Sequence, residues 1–109
     1  TAGNDCIDVS GGNYHIKNSY LNNCKDNGIS IGEQSILNIQ NAFIKDSNYA
    51  MSIKDLSKLY LKEGKVDNSN ICLYAYQKKQ EFGGGYASID NLDCKSTNLI
   101  DTNSIIKYN

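Results

Sequence analysis

Between Gly28 and Lys62 the sequence copies itself at an offset of 22 residues: Ile29 with Met51, Ile31 with Ile53, Ser35 with Ser57, Leu37 with Leu59 and Ile39 with Leu61. A period this short leaves no room for two helices and their turns, and each half of it alternates apolar and polar residues at period 2. Self-similarity of this kind marks a solenoid in which each repeat buries its apolar face only by stacking on the next. The expected fold is therefore all-β, a parallel β-helix (solenoid) with coils of 22 residues and about three short strands each. Residues 1–109 read as a single β-helix domain of four to five coils, with no evident cap.

The inward positions follow from the alternation. Coil one offers Ile7, Val9, Tyr14, Ile16 and either Leu21 or Tyr20. Coil two offers Ile29, Ile31, Leu37, Ile39 and either Phe43 or Ile44, and coil three Met51, Ile53, Leu59, Leu61 and Val66. Coil four begins with Leu73 and Ala75, resumes with Ala87 and Ile89, and places Cys94 where Ile44 and Val66 stood. A last coil, from about Thr97, offers Leu99, Ile100, Ile105 and Ile106. The resumption at Ile89 is 28 residues after Leu61, so an insertion lies in residues 77–86, QKKQEFGGGY. Insertions in solenoids leave as loops on one face, and Gly83, Gly84 and Gly85 read as part of that loop.

Composition narrows the function. Net charge is −1 with no basic block, which disfavours nucleic acid as a partner. No apolar run approaches the roughly 20 residues of a membrane span. The chain opens Thr1-Ala2-Gly3 without an initiator Met, as a mature product or an excised piece would. Abundant Asn suits left-handed corners and side-chain amide ladders from coil to coil. Cys6, Cys24, Cys72 and Cys94 are an even set, pointing to an oxidising, extracellular or cell-surface compartment. Cys6 and Cys72 share a column three coils apart, roughly 14 Å at the spacing of strands, too far to bond. The expected pairs are Cys6 with Cys24 and Cys72 with Cys94, the alternative being four small buried thiols. With a single histidine, His15, and no Cys-x-x-Cys pair, neither a metal nor any other cofactor is expected.

Outward residues of the first strand form one face. A column of Asp8, Ser30, Ser52 and Tyr74 runs beside Ser10, Gly32, Lys54 and Tyr76. Glu33 and Asp55 stand at one edge, with Asp5, Asn27 and Tyr49 at the other. Tyrosines beside carboxylates, lysine and amides suit a sugar chain, through ring stacking and hydroxyl hydrogen bonds. The candidate carbohydrate-binding residues are Asp8, Ser30, Ser52, Lys54, Tyr74, Tyr76, Glu33 and Asp55.

Three segments along this face carry a resemblance: Asn4-Asp5-Cys6-Ile7, then Asp26-Asn27-Gly28-Ile29-Ser30-Ile31-Gly32, then Ser52-Ile53-Lys54. In order and in one-coil spacing they are similar to motifs of the polygalacturonase-type glycoside hydrolases, of the pectin lyase-like superfamily. The resemblance implies a right-handed β-helix and, for an enzyme of that kind, activity on polyuronides; of its motif residues Asp5, Gly28 and Lys54 carry over, and with Asp8 or Asp26 as a second carboxylate beside Asp5 the candidate catalytic set is Asp5, Asp8, Asp26 and Lys54. Against it, Asn4, Asn27 and Ser52 stand where that family has an aspartate, a histidine and an arginine. The run Gly-Ile-Ser-Ile-Gly-Glu-x-Ser with Ile-Lys-Asp-x-Ser also resembles non-catalytic β-helix repeats of large secreted or surface bacterial proteins, such as those accompanying CotH-like domains. The reading adopted is a non-catalytic extracellular solenoid. Its expected partner is itself end to end, as a filament, or the neighbouring coils of a longer chain. A carbohydrate-binding module or degenerate polygalacturonase-like hydrolase is the alternative, with polysaccharide as the partner.

Overall fold

Stacking in register is visible directly in the backbone pairing. The computed structural model describes residues 5–109, so Asn4 of the first motif lies outside the described residues. Five strands, β1 (Asp5–Lys54), β2 (Lys58–Tyr76), β3 (Tyr86–Cys94), β4 (Thr97–Ile100) and β5 (Ile105–Tyr108), form one parallel sheet, and no helix occurs among the described residues. Leu37 pairs with Leu59, Leu59 with Ala87 and Ala87 with Ile106, so that the sheet winds as a β-solenoid of about three turns spaced by about 22 residues, against the four to five coils counted in the sequence; coil numbers below are those of the sequence repeats. Leu61 pairs with Ile89 and Val66 with Cys94, as the sequence offsets require.

The short strands of each coil merge because pairing with the next turn persists through the corners. The corners themselves are marked by left-handed residues. One corner recurs at Gly11 and Gly12, Glu33 and Gln34, and Asp55 and Leu56; another at Asp46 and Asn68, with Asn23 one place out of period in coil one. At the remaining bend the pairing skips Gln40 and Lys62. We call the strands around Ile31 and Ile53 the first face, those around Leu37 and Leu59 the second, and those around Ile44 and Val66 the third.

Ile29, Ile31, Leu37, Ile44, Met51, Ile53, Leu59, Leu73 and Ile89 have no exposed surface and fill the interior, each worth about 1.5–3 kcal/mol of burial. Of the pairs left open by alternation, Leu21 and Ile44 pack inward. Tyr20 and Phe43 stack on each other outside, centroids 5.0 Å apart. Tyr14 is a correction: it is 37% exposed, and its hydroxyl donates to the carbonyl oxygen of Gly11 at 2.6 Å. On the lowest described coil an aromatic has core on one side only, so the ring folds back over the Gly11–Gly12 corner. Amide ladders form as expected, with Asn70 Nδ2 donating to Asn48 Oδ1 at 2.8 Å and Asn41 Nδ2 to Asn18 Oδ1 at 3.1 Å.

Both disulfides are present in the expected pairing, Cys6–Cys24 and Cys72–Cys94, with Cα separations of 5.5 and 6.2 Å. They close coils near opposite ends of the stack. In the column between Cys6 and Cys72, Gly28 has no room for a side chain: a Cβ would lie 2.6 Å from the Ala50 carbonyl oxygen and 2.7 Å from Ile44 Cγ2.

The insertion is shorter than its sequence suggests. Residues 77–85 are not strand, but Gly84 and Gly85 belong to the stack: Leu56 N donates to Gly84 O at 2.9 Å and Ile105 N to Gly85 O at 3.0 Å. A Cβ on Gly85 would stand 2.0 Å from Ile53 O, and its N–H donates to Ser104 Oγ. The three glycines are therefore not all looped out. Backbone takes the place of side chain where the coil closes against its neighbours.

Candidate functional site

The first face holds a cleft of about 300 Å³, and its walls come from four successive coils. Coil one contributes Asp5 and Asp8, coil two Asp26, Ser30 and Glu33, coil three Lys54 and Asp55, and coil four Tyr76. Parallel stacking is what assembles it, since residues about 22 apart in sequence come to lie side by side. All four candidate catalytic residues, Asp5, Asp8, Asp26 and Lys54, border this one cavity, as do the proposed sugar-binding Ser30, Glu33, Asp55 and Tyr76.

Lys54 lies flat across Gly32, whose missing side chain makes the space; a Cβ there would be 3.2 Å from Lys54 Cε. Its ammonium donates to Ser30 Oγ at 2.6 Å. Burial pushes the Lys54 ammonium below the ordinary lysine range, with Asp8 opposing the shift. Tyr76 is pushed up to about 12, first by burial and then by Tyr74 and the nearby Asp55 and Asp26. Its phenol is a neutral donor at any physiological pH.

Two residues read as outward and accessible are outward but covered. Ser30 is 3% and Ser52 1% exposed. Alternation decides the side on which a side chain leaves the strand, while the long neighbour Lys54 decides whether water reaches Ser30. Ser52 does not border the cleft; its hydroxyl donates to Asn27 Oδ1, and Asn27 donates from N and Nδ2 to Asp5 Oδ1 at 3.1 and 2.9 Å. Asp5, Asn27 and Ser52 thus form one hydrogen-bonded rung across three coils. Tyr74 is stacked between Tyr49, at 5.3 Å, and Tyr76, at 4.0 Å, so a row of three rings leads to the cleft.

Asp55, read as an edge residue, is fully buried. Its Oδ1 accepts the backbone N–H groups of Lys78 and Lys79, both at 2.8 Å, and its Oδ2 is buried with no partner among the described residues. Lys79 in turn forms an ion pair with Glu33, which also accepts from Ser10 Oγ at 2.5 Å. The hydrogen bond from Lys79, then that from Ser10, then the Lys79 charge hold the Glu33 carboxyl below its usual range. Lys78 and Lys79 are cleft residues that sequence reasoning missed. The available signal was position: the insertion starts right after Tyr76, beside the edge column of Glu33 and Asp55.

His15 lies apart, in a groove of about 500 Å³ on the second face with Lys17, Tyr60 and Lys62. That groove is larger, but Asp90 is its one carboxylate. The first-face cleft is the one that gathers five carboxylates with three lysines and Tyr76. No cluster of three or more His, Cys, Asp or Glu suited to a metal ion occurs among the described residues. No protein-family model, curated protein or solved structure matches this chain.

Proposed function

We propose that this chain is a non-catalytic β-solenoid module of an extracellular or cell-surface protein, assembling end to end with copies of itself or with neighbouring coils of a longer solenoid. The observation that carries this is the last coil. Leu99, Ile100, Ile105 and Tyr108 are each 41% exposed or more, and β4 and β5 pair on one side only among the described residues. Paired on one side and apolar, such an edge is a template for another strand. Two disulfides, together with the lack among the described residues of any helix long and apolar enough to cross a membrane, are compatible with that location. Light scattering behind size-exclusion chromatography tests the reading. Association that grows with concentration and is suppressed by Ile100→Lys with Ile105→Lys is expected; a monomer at every concentration refutes it.

A second reading, saccharide binding on the first face, is favoured by the row Tyr49, Tyr74 and Tyr76 running to a polar cleft. Rings stack on sugar faces, and the Tyr76 hydroxyl supplies a directional hydrogen bond. The relation to the pectin lyase-like superfamily rests on the motif order along this face. Binding is supported over hydrolysis because Asp5 is engaged by Asn27, and inverting hydrolysis needs an acid and a base with a water between them. Retention on immobilised polysaccharide without new reducing ends supports a binder. Cleavage of polyuronide that Asp5→Asn or Asp26→Asn abolishes would establish the hydrolase instead.

A further inference from the structure

Resting on the saccharide reading, we propose that the first-face cleft selects a sugar bearing an ammonium group, a glucosamine-type unit, and rejects uronate. Five carboxylates and three lysines border the cavity, a formal charge of −2. One pair, Lys79 with Glu33, cancels within the cavity, while Lys54 keeps its charge as it donates to Ser30, so four carboxylates and two lysines remain. A polyuronide would bring further negative charge into this space, and like charges at a few ångströms repel.

An independent feature points the same way. Asp55 borders the cleft with no exposed surface, and its Oδ2 has no hydrogen-bond donor among the described residues. A buried carboxylate oxygen without a donor is costly, and the group that best relieves it is a cationic N–H. Asp55 Oδ1 is saturated by the Lys78 and Lys79 amides, so the vacant acceptor is Oδ2 alone. Asp8, exposed and lining the same cleft, adds a second negative charge. The volume, about 300 Å³, is at the small end of ligand cavities and suits a single sugar unit, with the tyrosine row taking the next.

Calorimetric titration of the full chain tests this with four probes: a glucosamine tetramer, its fully N-acetylated form, a galacturonate tetramer and spermidine. The glucosamine tetramer should bind at least about tenfold more tightly than each of the others, with the gap shrinking as salt rises. Asp55→Asn keeps an oxygen for the two backbone donors, and Asp8→Asn touches no side-chain hydrogen bond among the described residues. Each should reduce glucosamine affinity by about tenfold and leave the acetylated form unaffected. Equal binding of amine and acetylated forms, or preference for galacturonate, overturns the charge selection while leaving saccharide binding intact. Spermidine binding as well as the tetramer shows a cation site without sugar recognition and also overturns it. Failure of all four probes refutes the saccharide reading itself.

Discussion

Asp55 has no exposed surface and accepts the backbone N–H of Lys79 at 2.8 Å, so the corner residue of one coil anchors the insertion of the next. A carboxylate receiving two amide hydrogens is a strong tether, since bonds to charged groups contribute about 1.5–3 kcal/mol each. The same residue belongs to a left-handed corner pair, Asp55 and Leu56, that faces residues 77–85, where coil four departs from the period.

Asp55→Ala should therefore free the insertion. The expected loss is about 2–4 kcal/mol in urea unfolding, with Asp55→Asn falling between it and the unaltered chain. Limited proteolysis should show new cleavage within residues 77–85 in the alanine variant. If its cleavage pattern were unchanged, the tether would not be what orders the loop.

The Glu33–Lys79 pair predicts a pH window. Glu33 is held below its ordinary value, so its contribution is present above the unfolded carboxylate range, near pH 4, and is lost as pH falls through the depressed folded value. Lys79 is raised, chiefly by its bond to Glu33, so its share is complete below the ordinary lysine value near 10.4 and disappears as pH rises through the raised one. Hydrogen exchange at pH 7 and pH 3, corrected for intrinsic rates, should show the amides of Lys78 and Lys79 losing protection while β2 keeps its own. Equal loss in both would mean that global unfolding, not the pair, is being read.

Two glycine substitutions should separate fold from site. Gly28→Ala drives a Cβ to within 2.6 Å of backbone and should cost about 1–3 kcal/mol by overpacking. Gly32→Ala meets only the flexible end of Lys54, so stability should change by less than about 1 kcal/mol while the ammonium leaves Ser30. Chemical denaturation of both variants checks the order; a reversed order would contradict the packing around Gly28.

Ile31→Asp and Ile53→Asp each place a carboxylate among residues without exposed surface and should abolish cooperative unfolding. Ser30→Asp, though just as buried, points at the Lys54 ammonium and should be accommodated within about 1 kcal/mol. In a Lys54→Ala background the same change should be far more damaging. A double-mutant cycle by urea unfolding measures the coupling, and a value near zero would remove Lys54 as the compensating charge.

By itself the sequence determined what depends on period and alternation: the parallel solenoid, the inward columns such as Ile31 with Ile53, the pairing of the four cysteines and the coil in which the insertion begins. These are legible because stacking converts a distance of 22 residues into direct contact, and because a strand sends successive side chains to opposite sides. Only the tertiary structure decided which outward residues meet water. Ser30 is covered by a lysine 24 positions away, Asp55 by a loop whose path no period describes, and Gly85 fills a place in the stack that its neighbours in sequence disguise as loop. Exposure, unlike direction, is set by the length and course of side chains on other coils, and so is the shape of the cleft.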